Sequence, residues 1–128
     1  MNITGINHLT INTKSLEKSL PFYLGILKAA LIHRGRSDAY LEWGPVWICL
    51  QEKSIPGADR DGAVDHIAFT IDEDGFWEAV RTLKENEVEL IRTPVKRGKG
   101  WSVIFRAPDH IRFELHTSNL KERMDVWR

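Results

Sequence analysis

Three side chains stand out as able to do chemistry together: His8, His66 and Glu114. His8 lies in Gly5-Ile6-Asn7-His8-Leu9-Thr10-Ile11, and His66 in Ala63-Val64-Asp65-His66-Ile67-Ala68-Phe69. Each imidazole follows an Asn or Asp and is flanked by aliphatic residues. Glu114 lies in Arg112-Phe113-Glu114-Leu115-His116. On a strand, the two-residue period puts Phe113 and Leu115 on one face and Arg112, Glu114 and His116 on the other. A carboxylate facing an apolar half-barrel is costly unless it is paired, protonated or bound to a metal. Two imidazoles and one carboxylate suit Mn²⁺, Fe²⁺, Co²⁺, Ni²⁺ or Zn²⁺, with positions left for water or a bidentate substrate. The plainer reading is two satisfied surface histidines and an exposed glutamate, and the matched placement of His8 and His66 weighs against it. His33, His110 and His116 lack that placement. We read His33 as exposed, His110 as part of a hairpin and His116 as a donor behind the metal ligands.

Such residues meet only if the intervening chain brings them together, and the pattern around them repeats. Ile3 to Asn12 reads as a strand, followed by a helix capped by Ser15 and carrying Leu16, Leu20, Phe22, Tyr23 and Leu27. Pro21 must sit in the first turns of that helix or bend it. Strands are expected at Ala30 to Arg34, Ala39 to Trp43 and Val46 to Gln51, punctuated by Gly35 and Gly44-Pro45. Ser54 to Gly62, rich in Pro, Gly and Asp, reads as a linker. The plan then restarts with a strand at Val64 to Ile71 and a helix within Asp72 to Glu87. That helix carries Phe76, Trp77, Val80 and Leu83 on its apolar side. Strands at Val88 to Arg92, Trp101 to Arg106 and Ile111 to His116 follow, and Leu120 to Trp127 reads as a short helix. The predicted fold is α+β, one domain over residues 1–128, made of βαβββ modules 1–53 and 63–128. Each half-sheet has an apolar face that it cannot cover alone, so paired halves must pack together. Paired about a pseudo-twofold axis, they would aim both imidazoles into one half-barrel cleft.

Bulk properties exclude several classes. Lys+Arg and Asp+Glu balance at 18 each, with no basic block, which argues against non-specific nucleic-acid binding. Gly98 and Gly100 are too few and wrongly placed for a nucleotide-phosphate loop. The single cysteine, Cys49, sits in an apolar run and reads as a buried, inert thiol in a reduced compartment. Neither a secretory signal nor an apolar run long enough for a membrane span is visible, so a cytoplasmic protein without membrane attachment is expected. At 128 residues, pairing with a second copy would add stability.

The segments Gly5 to Thr10, Ala39-Tyr40-Leu41-Glu42, Val46 to Leu50, Asp65 to Phe69 and Pro108 to His116 resemble the fosfomycin-resistance branch of the glyoxalase/bleomycin-resistance/dioxygenase superfamily. The resemblance runs from Ile3 to about Arg123. It implies a module-exchanged homodimer in which His8 of one chain joins His66 and Glu114 of the other around a divalent metal, Mn²⁺ first. It implies opening of the fosfomycin epoxide by a thiol cosubstrate or by water. Thr10 matches a threonine beside the epoxide, and Tyr40 and Trp47 match pocket-lining residues. Ser102 and Arg123 match phosphonate contacts. Where the family carries a tyrosine this chain has Ile104, and the family's lysine falls near Pro94. Arg97 or Lys99 would supply the missing positive charge. Two other classes stay open: a different metal-dependent isomerase, lyase or dioxygenase, and a metal-free drug-binding protein with Tyr40, Trp43, Trp47 and Trp101 lining a stacking cleft.

Overall fold

A computed structural model describes residues 1–54 and 64–126. The chain forms two compact units, Met1–Ala58 and Asp59–Arg128. The expected linker falls almost wholly outside the described residues, as does Trp127.

In the first unit, β1 (Leu9–Thr13) is followed by α1 (Leu16–Leu20), β2 (Ala30–Arg34), β3 (Asp38–Trp43) and β4 (Val46–Glu52). In the second, β5 (Ile67–Thr70) leads to α2 (Glu73–Glu85), β6 (Leu90–Arg97), β7 (Gly100–Arg106), β8 (Arg112–His116) and α3 (Leu120–Val126). The sheet orders are β1-β4-β3-β2 and β5-β8-β7-β6. In both, the first strand runs parallel to the last and the other pairs are antiparallel. The expected βαβββ repeat is therefore realised in each unit. Among the described residues, no helix is long and apolar enough to cross a membrane.

Alternation of burial follows the strand period. Ala39 and Leu41 of β3 are buried between the exposed Tyr40 and Glu42. Leu16, Tyr23, Ile48 and Leu50 complete this half-core. In the second unit Phe113 stands edge-on to Phe69 and Phe105, with centroids 5.2 and 5.9 Å away. Phe76, Val80 and Leu83 of α2 are buried. Trp77 corrects the expected apolar face: it is 43% exposed, packed edge-on against Trp101. One residue beyond Phe76, it lies about 100° around the helix, off the buried stripe.

Both helices start where expected. Ser15 Oγ accepts from the Lys18 amide at 3.2 Å, and Asp72 Oδ1 accepts from the Gly75 amide at 2.6 Å. These bonds satisfy amides that have no intrahelical partner. Glu73 and Asp74 in the first turn and Lys84 in the last complement the α2 dipole. At Pro21, which has no N–H to give, the first helix changes to π-helical spacing over Pro21–Ile26.

Three strand boundaries differ most from expectation. The opening strands begin only at Leu9 and Ile67, where pairing with Ile48 and Phe113 starts. Ile3, Ile6 and Val64 are at least 69% exposed, so aliphatic character upstream marks no ladder. β6 runs on through Pro94 to Arg97, because an edge strand tolerates a residue that cannot donate to the ladder.

Candidate metal and anion site

Each histidine is the last residue before its opening strand, so the two occupy equivalent places in the repeat. The side chain preceding each holds it in the same way. His8 Nδ1 lies 2.6 Å from Asn7 Oδ1, and His66 Nδ1 lies 2.8 Å from Asp65 Oδ2. Those oxygens can only accept, so each Nδ1 carries the proton and Nε2 is the nitrogen left for a metal. Asp65 also pairs with Arg112 at 3.1 Å. The hydrogen bond from His66 holds its carboxyl below the usual range against an opposing desolvation cost, and the Arg112 charge adds to the lowering. Replacing Asp65 by Ala is expected to weaken divalent-metal binding about 10–100-fold. Asp65→Asn, which copies Asn7, should retain most of it. Mn²⁺ titrations of the two variants followed by electron paramagnetic resonance check this, and equal affinities would defeat it.

In the second unit, His66 Nε2 meets Glu114 Oε1 at 2.9 Å. Glu114 is 6% exposed, with Phe113 and Leu115 turned into the core beside it. Its other oxygen, Oε2, accepts from Ser102 Oγ at 2.5 Å and from Arg92 Nη2 at 3.5 Å. His66 and Glu114 open onto a cleft of about 510 Å³, whose lining also includes Arg92, Arg97, His116 and Arg123. One glutamate and three arginines thus line one cleft, a charge balance suited to an anion beside a cation. The size falls in the range of small-molecule sites.

Local sequence explains how two of those arginines come together. Gly98 and Lys99 form a two-residue turn between β6 and β7, with Gly98 at φ 61°, a backbone region that favours glycine. A Cβ at Gly98 would lie 3.1 Å from Val126 Cγ2 and 3.5 Å from Arg123 Cδ. The bare glycine lets the turn close on α3, bringing Arg97 and Arg123 to one cleft. Lys99 Nζ binds Asp125 at 3.1 Å and does not line the cleft, so it serves as a tie between turn and helix.

The first unit gathers the other candidates. The His8 and Trp47 rings lie 4.3 Å apart, and Tyr40 meets Trp47 edge-on at 5.7 Å. Thr10 is exposed on β1, opposite Cys49 of β4. Burial pushes the Cys49 thiol up, and Asp38 adds to the shift, in keeping with an inert cysteine. The cross-strand pairs Thr10–Cys49 and Ala68–Glu114 are equivalent, so Cys49 occupies the place that mirrors Glu114. No second metal-facing carboxylate stands at that mirrored place.

Some expectations change. Ser102 is fully buried and spends its hydroxyl on Glu114. Ile104, directly opposite Glu114, is 8% exposed and offers no polar group. His110 sits in a 3₁₀ turn, Pro108–His110, at φ 65°. His116 lines the cleft, and its Nδ1 accepts from the Ser118 amide at 3.0 Å. Arg92 is the residue that strand counting passed over. The β6–β7 ladder shifts register between Leu90 and Arg92 and again between Arg92 and Val95. Two irregularities defeat a count by twos from Pro94, and Arg92 is one of three cations in β6, so residue type alone does not single it out.

Among the described residues no group of three His, Cys, Asp or Glu side chains is gathered to hold an ion. The donor set that is present fits one in part: a neutral-type imidazole nitrogen and a carboxylate oxygen, both supported from behind.

Residues 5–115 match the model of the glyoxalase/bleomycin resistance protein/dioxygenase superfamily. A metallothiol transferase FosB of Staphylococcus epidermidis is 40% identical, the match covering 100% of this chain and 92% of that protein. The glutathione transferase FosA of Serratia marcescens is 30% identical over 98% of this chain and 89% of its own. The fosfomycin resistance protein FosX of Listeria monocytogenes, in a crystal structure with Mn(II) and sulfate, superposes with TM-score 0.81 at 29% identity. That superposition covers 99% of this chain and 100% of the other. With a family model matching most of its length and relatives at this level of identity, the chain belongs to the glyoxalase/bleomycin resistance protein/dioxygenase superfamily, in its fosfomycin-resistance branch.

Proposed function

We propose that this protein is a divalent-metal-dependent enzyme that opens the epoxide of fosfomycin, with a small thiol as the attacking group. The observation that carries the reading is the His66–Glu114 pair, 2.9 Å apart, in a cleft that also holds Arg92, Arg97 and Arg123. Two metal donors beside three guanidiniums suit a substrate that carries an epoxide oxygen and a phosphonate. The FosX structure with Mn(II) and sulfate, and another with Mn(II) and a dihydroxypropylphosphonic acid, support Mn²⁺ as the metal. The metallothiol transferases, at 40% and 39% identity, favour a thiol over water.

In this reading His66 Nε2 and Glu114 Oε1 supply two ligands, and His8 of a second copy supplies the third in a module-exchanged homodimer. Each half-barrel cleft is then built from module 1–53 of one copy and module 63–128 of the other. When bound, the ion supplies Lewis-acid stabilisation of the charge that develops on the epoxide oxygen. Arg97 and Arg123 bind the phosphonate through charge-assisted hydrogen bonds, which fixes the molecule before attack. Thr10 donates its hydroxyl to the departing oxygen. Tyr40 and Trp47 form an apolar wall that keeps bulk water from the reacting carbon. The sulfur of the thiol forms the new C–S bond as the ring C–O bond breaks, and the proton that the thiol gives up ends on the ring oxygen. An isomerase of the two-carboxylate kind gains no support, because Cys49 stands where its second acid is required.

Phosphorus resonance of fosfomycin with Mn²⁺ and the purified protein tests the reading, with glutathione, bacillithiol, cysteine or no thiol. A new phosphonate signal that needs a thiol is the expected result. A signal without any thiol would make the protein a hydrolase. An unchanged spectrum with metal demonstrably bound would remove fosfomycin as the substrate.

A further inference from the structure

We infer that Ser102 is a positioning residue for the metal-binding carboxylate and that Arg92 braces it, so that Glu114 offers one oxygen, Oε1, to the ion. This rests on the reading of Glu114 as a metal ligand. Three adjacent strands build the arrangement. Ile104 of β7 lies between Arg92 of β6 and Glu114 of β8 in register, and Ser102, two residues before Ile104, shares its face. That places the Ser102 hydroxyl diagonally across from Glu114.

The burial of this group decides its role. Ser102 has no exposed surface and Glu114 only 6%. The hydroxyl donates to Oε2 at 2.5 Å, and Arg92 Nη2 donates to both the serine oxygen and Oε2, the latter at 3.5 Å. A serine hydroxyl has a single proton. Given to Glu114, it is not available to a phosphonate, and no open surface lets a phosphonate reach it. Both acceptor contacts fall on Oε2, while Oε1 faces His66 Nε2. The carboxylate is thereby fixed in rotation about its last bond. Its two oxygens have different tasks: Oε2 is anchored in the protein and Oε1 is presented beside the histidine. A ligand held through one oxygen leaves more of the metal's coordination positions for a chelating substrate. The buried Nε of Arg92 has no hydrogen-bond partner, so the clamp acts through its terminal nitrogen.

The test separates positioning from substrate contact. For Ser102→Ala we expect Mn²⁺ binding, read from the resonance of free aqueous Mn²⁺, to weaken about 10–100-fold. At saturating Mn²⁺ the KM for fosfomycin should remain that of the wild type. Wild-type Mn²⁺ affinity with a raised KM would overturn the assignment and make Ser102 a phosphonate contact. A second arm needs no metal. In the metal-free protein, Ser102→Ala should lower Tm, and that loss should vanish in a Glu114→Ala background, where no carboxylate remains to be held. Losses that simply add would sink the clamp. If the wild-type protein itself fails to bind Mn²⁺, the metal reading fails, and the thermal cycle still decides whether Ser102 holds Glu114.

Discussion

His66→Ala is expected to abolish measurable Mn²⁺ binding and to lower kcat/KM for fosfomycin opening on the order of 10³-fold or more. The imidazole contributes one of the two donors that this chain brings together, with Nε2 2.9 Å from Glu114 Oε1. Asp65 holds the ring from the opposite side, and Ala at position 66 leaves that support with nothing to orient. Lewis-acid stabilisation of a developing alkoxide is worth several kcal/mol, and each 1.36 kcal/mol is tenfold in rate. His8→Ala should produce a loss of similar size if the third ligand comes from a second copy. Mixing the two inactive variants then offers a sharper check. In a module-exchanged dimer the mixture regains activity, because one site of a mixed pair keeps both histidines and the other has neither. Equilibrium titration with Mn²⁺, with circular dichroism melts to confirm folding, separates a lost site from a lost fold. Full Mn²⁺ affinity in His66→Ala would remove this histidine from the site.

Arg123→Ala should raise the KM for fosfomycin about 10–150-fold, with Mn²⁺ affinity unchanged. A hydrogen bond to a charged group contributes about 1.5–3 kcal/mol, which converts to that range. Arg123 lines the same cleft as His66 and Glu114, and the Gly98 turn packs against its stem. Arg123→Lys should recover only part of the loss, since an ammonium cannot reproduce a planar fork on a phosphonate. Lys99→Ala provides the contrast. Lys99 is engaged with Asp125 outside the cleft, so its loss loosens the turn without removing an anion contact. Steady-state kinetics at saturating Mn²⁺ distinguish the three variants. A KM for Arg123→Ala equal to the wild-type value would exclude it from substrate binding.

The branch of the family was legible in local strings of residues, and so was the repeat. Asn7-His8 and Asp65-His66 each open a module at equivalent positions, and both opening strands begin directly after them. Caps at Ser15 and Asp72 were readable for the same reason: a helix start is a local hydrogen-bonding problem that one side chain solves. The burial of Glu114 between Phe113 and Leu115 on β8 was only half legible. Strand periodicity assigned it the face opposite the two apolar residues, yet it is buried nearly as deeply as they are. His66, Ser102 and Arg92 close on Glu114 at the wall of the cleft, and a count by twos sees none of these partners.

The amino-acid sequence by itself determined the modules, their strand-helix-strand order, and the candidate donors His8, His66 and Glu114, because each depends on residue type and near neighbours. Tertiary structure decided the rest. Only the three-strand register of β6, β7 and β8 sets the buried Ser102 diagonally across from Glu114, within reach of its carboxylate. Only the two register shifts in β6 bring in Arg92, and only the close packing of Gly98 on α3 aligns Arg97 with Arg123 while drawing Lys99 aside. These are contacts between residues far apart in sequence. Their geometry follows from how whole strands align, and no local pattern carries that information.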